Sequence, residues 1–179
     1  LEKLQNWSYE SLDNDLLKES FVSAQKVSIE AKKKEAYRIV QLVTGTATTT
    51  AGINPIPLSD ALLIAPQQIV MCMRIAHIFK FDAMGEGVTA LLKQQVISLV
   101  GKQLAASLTK FIPVVGNIIN AGVAGTLTFA LGATMIEIYS KAYIEYLDNG
   151  KLPDWTVVFS AGKFFEIFSK NKDEYQKTN

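Results

Sequence analysis

Apolar residues recur at three- and four-residue spacing along most of the chain, while strict alternation of apolar and polar residues is rare. This pattern predicts an all-α fold, a bundle of about five to six helices around a long central glycine-rich helix. The predicted helices run from Ser8 to about Ala24, from Ser28 to just before Asn54, from Ser59 to about Phe79, from Met84 to Leu108, from Val114 or Asn117 to Leu147, and over a short amphipathic stretch that carries Trp155, Phe159, Phe165 and Phe168.

Helix-breaking residues sharpen these boundaries. Pro66 lies inside the third predicted helix, so a kink or a break is expected there. The turn Asp148-Asn149-Gly150 predicts the end of the fifth helix, because Gly150 can adopt positive φ. The polar tail from Asn171 to Asn179 is expected to fray.

Charge divides the chain into three parts, because the long middle is poor in charged residues and both ends are rich in them. We predict a leading helix and connector over residues 1–27, a helical core domain over residues 28–150, and a C-terminal amphipathic helix with a polar tail over residues 151–179. The first residue is Leu rather than Met, which predicts that the chain is a piece of a longer protein.

Composition argues against several kinds of chemistry. The 179 residues include 18 basic and 17 acidic ones, so a net charge of +1 gives no electrostatic case for binding nucleic acid. Cys72 is the only cysteine, which excludes an intrachain disulfide and a cysteine-based zinc site. His77 is the only histidine, which excludes most histidine-rich metal chemistry. On one helix the two point about 140° apart, so we interpret Cys72 as a small buried hydrophobe and His77 as a helix-end residue.

The densest basic run is Lys32-Lys33-Lys34. Three consecutive helical residues fan out around the helix, and Glu30 and Glu35 interrupt the positive charge. We expect a solvated helix face with Glu30 paired to Lys34, while contact with anionic lipid or an acidic partner is the alternative interpretation.

Residues 111–136 contain no charge, and a helix of about 23 residues within them would be about 35 Å long, enough to cross a bilayer. The alternative is the central helix of a soluble bundle, with its glycines allowing another helix to approach closely. Amphipathic neighbouring helices favour the soluble bundle, and insertion of residues 111–136, with 39–59 as a weaker partner, remains the second hypothesis.

A nucleotide-hydrolysing loop is missing from the sequence. Neither Gly101-Lys102 nor Gly162-Lys163 has the upstream glycine or the following hydroxyl of a phosphate-binding loop. We therefore predict no catalytic, cofactor-binding or metal-binding residue in this chain. An unrecognised helical active site with Asp60, Arg74 and His77 is the least favoured hypothesis.

Two stretches resemble a known family. The first contains Gly52-Ile53-Asn54-Pro55-Ile56-Pro57-Leu58-Ser59-Asp60, preceded by Gln25 to Val27 and Lys32 to Ala36; the second runs from Leu108 to Gly116 and continues through Ala121 to Thr128 and Ala130 to Gly132. Together they are similar to the uncharacterised α-helical domain found C-terminal to Era-like GTPase domains, which also occurs in relatives of a bacterial inner-membrane protein. The resemblance covers roughly residues 25–147.

The resemblance implies a GTPase domain upstream, with GTP and magnesium as the cofactors of that domain and none in this chain. It implies no catalytic residues here, and it carries over structural motif positions alone. These positions are Pro55, Pro57, Ser59, Asp60, Pro113, Gly116, Gly122, Gly125 and Gly132.

The expected function is that of a non-enzymatic C-terminal effector domain of a GTP-binding protein, acting by protein–protein contact. The expected partner is its own upstream GTPase domain, with a second copy of the chain and a membrane as alternatives and no nucleic acid. The expected location is the cytoplasm, with a peripheral position at the inner membrane as the alternative. A membrane-associating or membrane-inserting helical module is the alternative function.

Overall fold

The computed structural model describes residues 2–24, 29–53, 59–81, 89–98 and 116–178. Within these ranges the chain is helical and forms no strand, which confirms the all-α class. Eight helical segments are described, against the five to six predicted. They are α1 (Glu2–Glu10), α2 (Asp15–Ala24), α3 (Ile29–Ile53), α4 (Ser59–Ile78), α5 (residues 89–98), α6 (Gly116–Asn149), α7 (Trp155–Val158) and α8 (Ala161–Thr178).

The long helix α6 lies against three others among the described elements. It packs most extensively on α3, then on α8 and α4. Residues 130–136 are buried without interruption, so this part of α6 is covered on every side. That burial explains why the helix is apolar all round here instead of carrying a single apolar stripe.

A glycine sets the distance between α3 and α6. A Cβ built at Gly132 would lie 2.8 Å from Cγ1 of Val40 and 3.1 Å from its Cβ, and closer still to Cγ2. Val40 lies on the buried face of α3 together with Ala36 and Ile39. The side chain of Val40 therefore occupies the space that a larger residue at 132 would need.

Aromatic rings fill the other end of the core, where α4 ends and α7 follows α6. The ring centroids of Phe81 and Trp155 are 5.1 Å apart, edge to face, and those of Phe81 and Tyr139 are 5.8 Å apart. Offset and edge-to-face contacts of this kind add to the stabilisation from buried area. Phe159 and Phe168 are buried and Phe165 is half-buried, so the aromatic residues of the C-terminal amphipathic stretch pack onto the core.

The single helix predicted from Ser8 to Ala24 is wrong, because the chain forms α1 and α2 with a break between them. Asn14 caps α2, since its Oδ1 accepts a hydrogen bond of 2.8 Å from the backbone N–H of Leu16. Ser11 Oγ donates to the Trp7 carbonyl oxygen at 2.7 Å, at the end of α1. Short polar side chains compete in this way with continued helix formation.

The C-terminal prediction also needs correction, because α7 and α8 replace one short helix and the tail does not fray. Asp154 caps α7, and α8 continues to Thr178. Contacts with α6 hold the tail: Asn171 Nδ2 lies 3.4 Å from Glu137 Oε2, and the ring of Tyr175 stacks on Phe129 with centroids 4.3 Å apart.

The remaining boundary predictions have mixed outcomes. Gly150 ends α6 with φ of 68°, as predicted. Pro66 lies inside α4, which is continuous there, so the predicted break does not occur. Of the helix predicted from Met84 to Leu108, residues 89–98 are helical, and the rest lies outside the described residues, as does Ser28, the predicted start of the second helix.

Candidate functional site

The family-motif positions are spread along the fold. Pro55, Pro57 and Pro113 lie outside the described residues, Ser59 and Asp60 are the first residues of α4, and Gly116 and Gly122 lie in the first turns of α6. Gly125 and Gly132 are buried, and Gly132 faces Val40. The buried glycines thus belong to helix packing.

Buried ionisable side chains gather instead where α1 and α2 lie on α3 and α4. Ionisable groups are seldom fully buried unless they are paired, so such a concentration marks a candidate functional site. We call this region the N-terminal junction and define it by Tyr9, Asp15, Glu19, Lys32, Glu35, Arg38 and Arg74.

Glu35 is the centre of the first group of contacts in the junction. Its Oε1 accepts hydrogen bonds from Arg38 Nε at 3.0 Å and from Arg38 Nη2 at 2.7 Å, and its Oε2 accepts one from the Tyr9 hydroxyl. Arg38 Nη1 also lies 3.1 Å from Asp15 Oδ1. Arg38 thereby links its own helix α3 to α2, and Tyr9 adds α1.

The contacts among Tyr9, Glu35 and Arg38 raise the pKa of both Tyr9 and Arg38. Burial raises the pKa of Tyr9 to about 12, and its hydrogen bond to Glu35 and the carboxylate charge act in the same direction. The hydrogen bond to Glu35 also raises the pKa of Arg38 above its usual value. Tyr9 therefore remains a neutral donor and Arg38 a cation throughout the physiological range.

A second buried ion pair joins α2 directly to α4. Glu19 is 2% exposed, and both of its carboxylate oxygens face the guanidinium of Arg74. Arg74 Nε donates to Glu19 Oε2 at 3.3 Å, and Nη2 donates to Oε1. Two parallel N–H···O contacts fix the relative orientation of the two side chains as well as their distance.

Lys32 occupies the most buried position of the junction, with no exposed surface. Its Nζ donates to the carbonyl oxygens of Val22, in the last turn of α2, at 3.2 Å and of Ile78, the last residue of α4, at 2.7 Å. Nζ also lies 5.0 Å from the ring centroid of Tyr143 on α6. One ammonium thus binds the carbonyl ends of two helices and the ring face of a third.

The end of α4 leaves this carbonyl available to Lys32. Phe81 N donates to Ala76 O at 2.8 Å and Lys80 N donates to His77 O at 3.0 Å, with Lys80 at φ of 62°. This Schellman turn satisfies the carbonyls before Ile78. Burial, and then the charge of Lys80, lower the pKa of Lys32 to about 8.

The expectation of a solvated Lys32 is therefore wrong, and Glu30 pairs with Lys33, at 3.6 Å, instead of Lys34. The sequence does contain the signal that was missed. Lys32 lies four residues before Ala36 and seven before Ile39, which places it in the apolar stripe of α3. A lysine in register with a core stripe predicts burial of its charge, or at least of its stem.

The contacts of the junction fix its helices relative to one another, because guanidinium groups pair with both of its buried carboxylates, Glu19 and Glu35. Within the described residues, no three His, Cys, Asp or Glu side chains form a group that could hold a metal ion. Cys72 is buried, as predicted, and burial raises the pKa of its thiol to about 12. His77 is half-buried in the last turn of α4.

Across the ranges that the structure describes, no helix combines the length and the apolar character needed to cross a bilayer. Comparison with protein-family models gives no match for the chain. No curated protein and no solved structure matches it either.

Proposed function

We propose that the chain is a helical effector domain, built around α6, that acts by protein–protein contact within a GTP-binding protein. Its expected place is C-terminal to a GTPase domain, to which the proposal assigns GTP and magnesium. The N-terminal junction supports contact as the mode of action, because its buried ionisable groups connect helices to one another. The sequence resemblance supports the GTPase as the upstream partner.

The junction gives such a domain a route for coupling. Asp15 and Glu19 on α2 bind Arg38 on α3 and Arg74 on α4, so a displacement of α2 acts on both helices. Helix α3 in turn packs along α6 and meets it closely at Gly132. A change at the N-terminal end can thereby reach the central helix through contiguous contacts.

The test uses the full-length protein with its native upstream region. GTP hydrolysis is measured for that protein and for a version that lacks residues 25–150. We expect the rate or its dependence on a binding partner to differ between the two. Glu19→Gln should reproduce part of that difference, while Asp13→Asn, an exposed carboxylate in the same segment, should not.

Two results would contradict the proposal. One is an upstream region that binds no guanine nucleotide. The other is a GTP hydrolysis rate that is the same with and without the helical domain, at several concentrations of the partner. Either result would leave the fold intact while removing the assigned role.

Peripheral membrane association is the second candidate, and exposed apolar side chains on α1 and α2 favour it. Leu4 and Trp7 are 66% and 67% exposed, and Leu16 and Leu17 are 67% and 54% exposed. Leu4 and Trp7 lie three residues apart and share one side of α1. Exposed leucine and tryptophan of this kind can enter the headgroup region of a bilayer.

Flotation with vesicles of phosphatidylethanolamine and phosphatidylglycerol tests this candidate. Co-flotation that Trp7→Ser abolishes, and that Val157→Ser leaves unchanged, would support it, because Val157 is an exposed apolar residue on α7. A chain that stays at the bottom of the gradient under all lipid compositions would reject it.

A further inference from the structure

The two N-terminal helices differ from the rest of the fold in how they are held. Among the side chains described in α1 and α2, only Glu19 and Val22 are buried, and Tyr9 and Phe21 pack against the core from partly exposed positions. Helices α3 and α4 bury more apolar side chains, among them Ala36, Ile39 and Val40 on α3 and Met71, Ile75 and Ala76 on α4. Apolar packing therefore contributes little to the attachment of α1 and α2.

Charge supplies what apolar packing does not. Residues 2–24 contain five acidic and two basic residues, whereas residues 29–38 contain four basic and two acidic ones. The surface that α2 covers is formed by α3 and α4 and carries Lys32, Arg38 and Arg74, together with Glu35. Asp15 and Glu19 bring two carboxylates to this cationic surface, which balances its net charge.

The contacting groups of α2 have a regular spacing. Asp15, Glu19 and Val22 lie at positions i, i+4 and i+7, so they share one side of the helix. Asp15 meets Arg38 at 3.1 Å, Glu19 meets Arg74, and the carbonyl oxygen of Val22 accepts from Lys32 at 3.2 Å. Each cation of the surface thus has one contact point along α2.

We propose that α1 and α2 form a strap over a cationic surface made by Lys32, Arg38 and Arg74, that charge holds α2 on this surface, and that the strap opens while the remaining helices stay folded. Helix α2 is the occupant of this surface within the same chain. The inference concerns this chain's own helices and does not depend on the upstream GTPase.

Amide hydrogen exchange on the intact chain tests the strap directly, because local opening exposes one segment without global unfolding. We expect amides of α2 to exchange at least about 100-fold faster than amides of residues 130–143 in α6, the difference expected of a locally opening unit. Raising the salt concentration from about 0.05 to 0.5 M should accelerate exchange in α2 several-fold, since screening weakens ion pairs. The exchange rate in α6 should not change with the salt concentration.

Matched variants assign the effect to the ion pairs. Glu19→Gln should accelerate exchange in α2 about tenfold and reduce its salt dependence, with α6 still protected. Asp15→Asn should act in the same direction more weakly, because the side chain of Asp15 is 59% exposed. Asp13→Asn removes an equal charge from an exposed neighbouring position and should leave exchange in α2 unchanged.

Protection of α6 in each variant shows that the bundle is folded, so loss of the whole fold cannot be mistaken for release of the strap. Equal exchange rates in α2 and α6 would overturn the proposal, because the two would then open together. Fast exchange in α2 that responds neither to salt nor to Glu19→Gln would also overturn it, since charge would not be holding the strap.

Discussion

Replacing Lys32 with Met tests the energetic consequence of burying an ammonium at the N-terminal junction. Burial lowers the pKa of Lys32 from 10.5 to about 8. At about 1.36 kcal/mol per pKa unit, the charged form costs the folded state about 3 kcal/mol relative to the neutral form. Hydrogen bonds to the Val22 and Ile78 carbonyls hold the ammonium in place, and the lowered pKa is the net result of these contacts and of burial.

The sign of the pH dependence follows from linkage. A lysine whose pKa is lowered by folding binds fewer protons in the folded state than in the unfolded state between about pH 8 and 10.5. The free energy of unfolding therefore rises with pH as Lys32 loses its proton. Between pH 7 and pH 9 this contribution amounts to about 1 kcal/mol.

Other buried groups titrate at high pH, so the comparison between two proteins matters more than either curve. Burial raises the pKa of Cys72 and of Tyr9 to about 12. The stabilisation that each group contributes to the fold is therefore lost as the pH rises above the pKa that the group has in the unfolded chain. Both residues are present in the wild type and in Lys32→Met, so their contributions cancel in the difference.

Urea unfolding at pH 7, 8 and 9 measures this difference. We expect the wild type to gain about 1 kcal/mol relative to Lys32→Met between pH 7 and pH 9. Lys34→Met removes the same charge from an exposed position on α3 and should run parallel to the wild type. Parallel curves for Lys32→Met, or a wild type that loses stability relative to it, would refute the reasoning.

Three further predictions concern the core. Gly132→Ala should lower the free energy of unfolding by about 1–2 kcal/mol, because it forces a Cβ against Val40. Gly45→Ala, with open space around its Cβ, should raise it by up to about 1 kcal/mol. Equal effects of the two variants in urea unfolding would contradict the close approach of α3 to α6 at Gly132. Tyr139→Phe should change stability by less than about 1 kcal/mol, because the buried hydroxyl has no hydrogen-bond partner among the described residues; a larger loss would point to a bound water. Labelling of Cys72 by a thiol reagent should be slow in the native state and immediate in urea, because burial raises its pKa to about 12, and rapid native labelling would contradict that burial.

The helices could be predicted from the sequence where their form depends on residues that are close together in the chain. Ala36, Ile39 and Val40 recur at helical spacing in the sequence and are buried together, and Gly150 ends α6 with the positive φ that glycine permits. These are local properties, since a helical period and a glycine turn act within a few residues of the chain.

The candidate site was much less predictable, because it depends on partners far apart in sequence. Glu19 meets Arg74 across 55 residues, and Tyr9 meets Glu35 across 26. Charged residues at these positions look like ordinary surface residues when each helix is read alone. Their burial follows from where α1 and α2 lie on α3 and α4.

The C-terminal tail is a second case in which contacts with distant residues decide the local structure. Asn171 to Thr178 is polar enough to predict fraying, yet it continues α8 as a helix because Asn171 and Tyr175 contact α6. Tertiary contacts of this kind stabilise a segment whose own sequence favours the coil.

The amino-acid sequence by itself determined that this protein is helical, where several of its helices end, and which stripe of α3 faces the core, because those properties arise from interactions within one or two turns. Only the tertiary structure decided that Lys32 is buried, that α1 and α2 are separate helices with α2 joined by ion pairs to α3 and α4, and that Gly132 lies against Val40. Burial of a charge and the distance between two helices depend on which distant surfaces meet, and pairing between distant surfaces has no short-range signature in the chain.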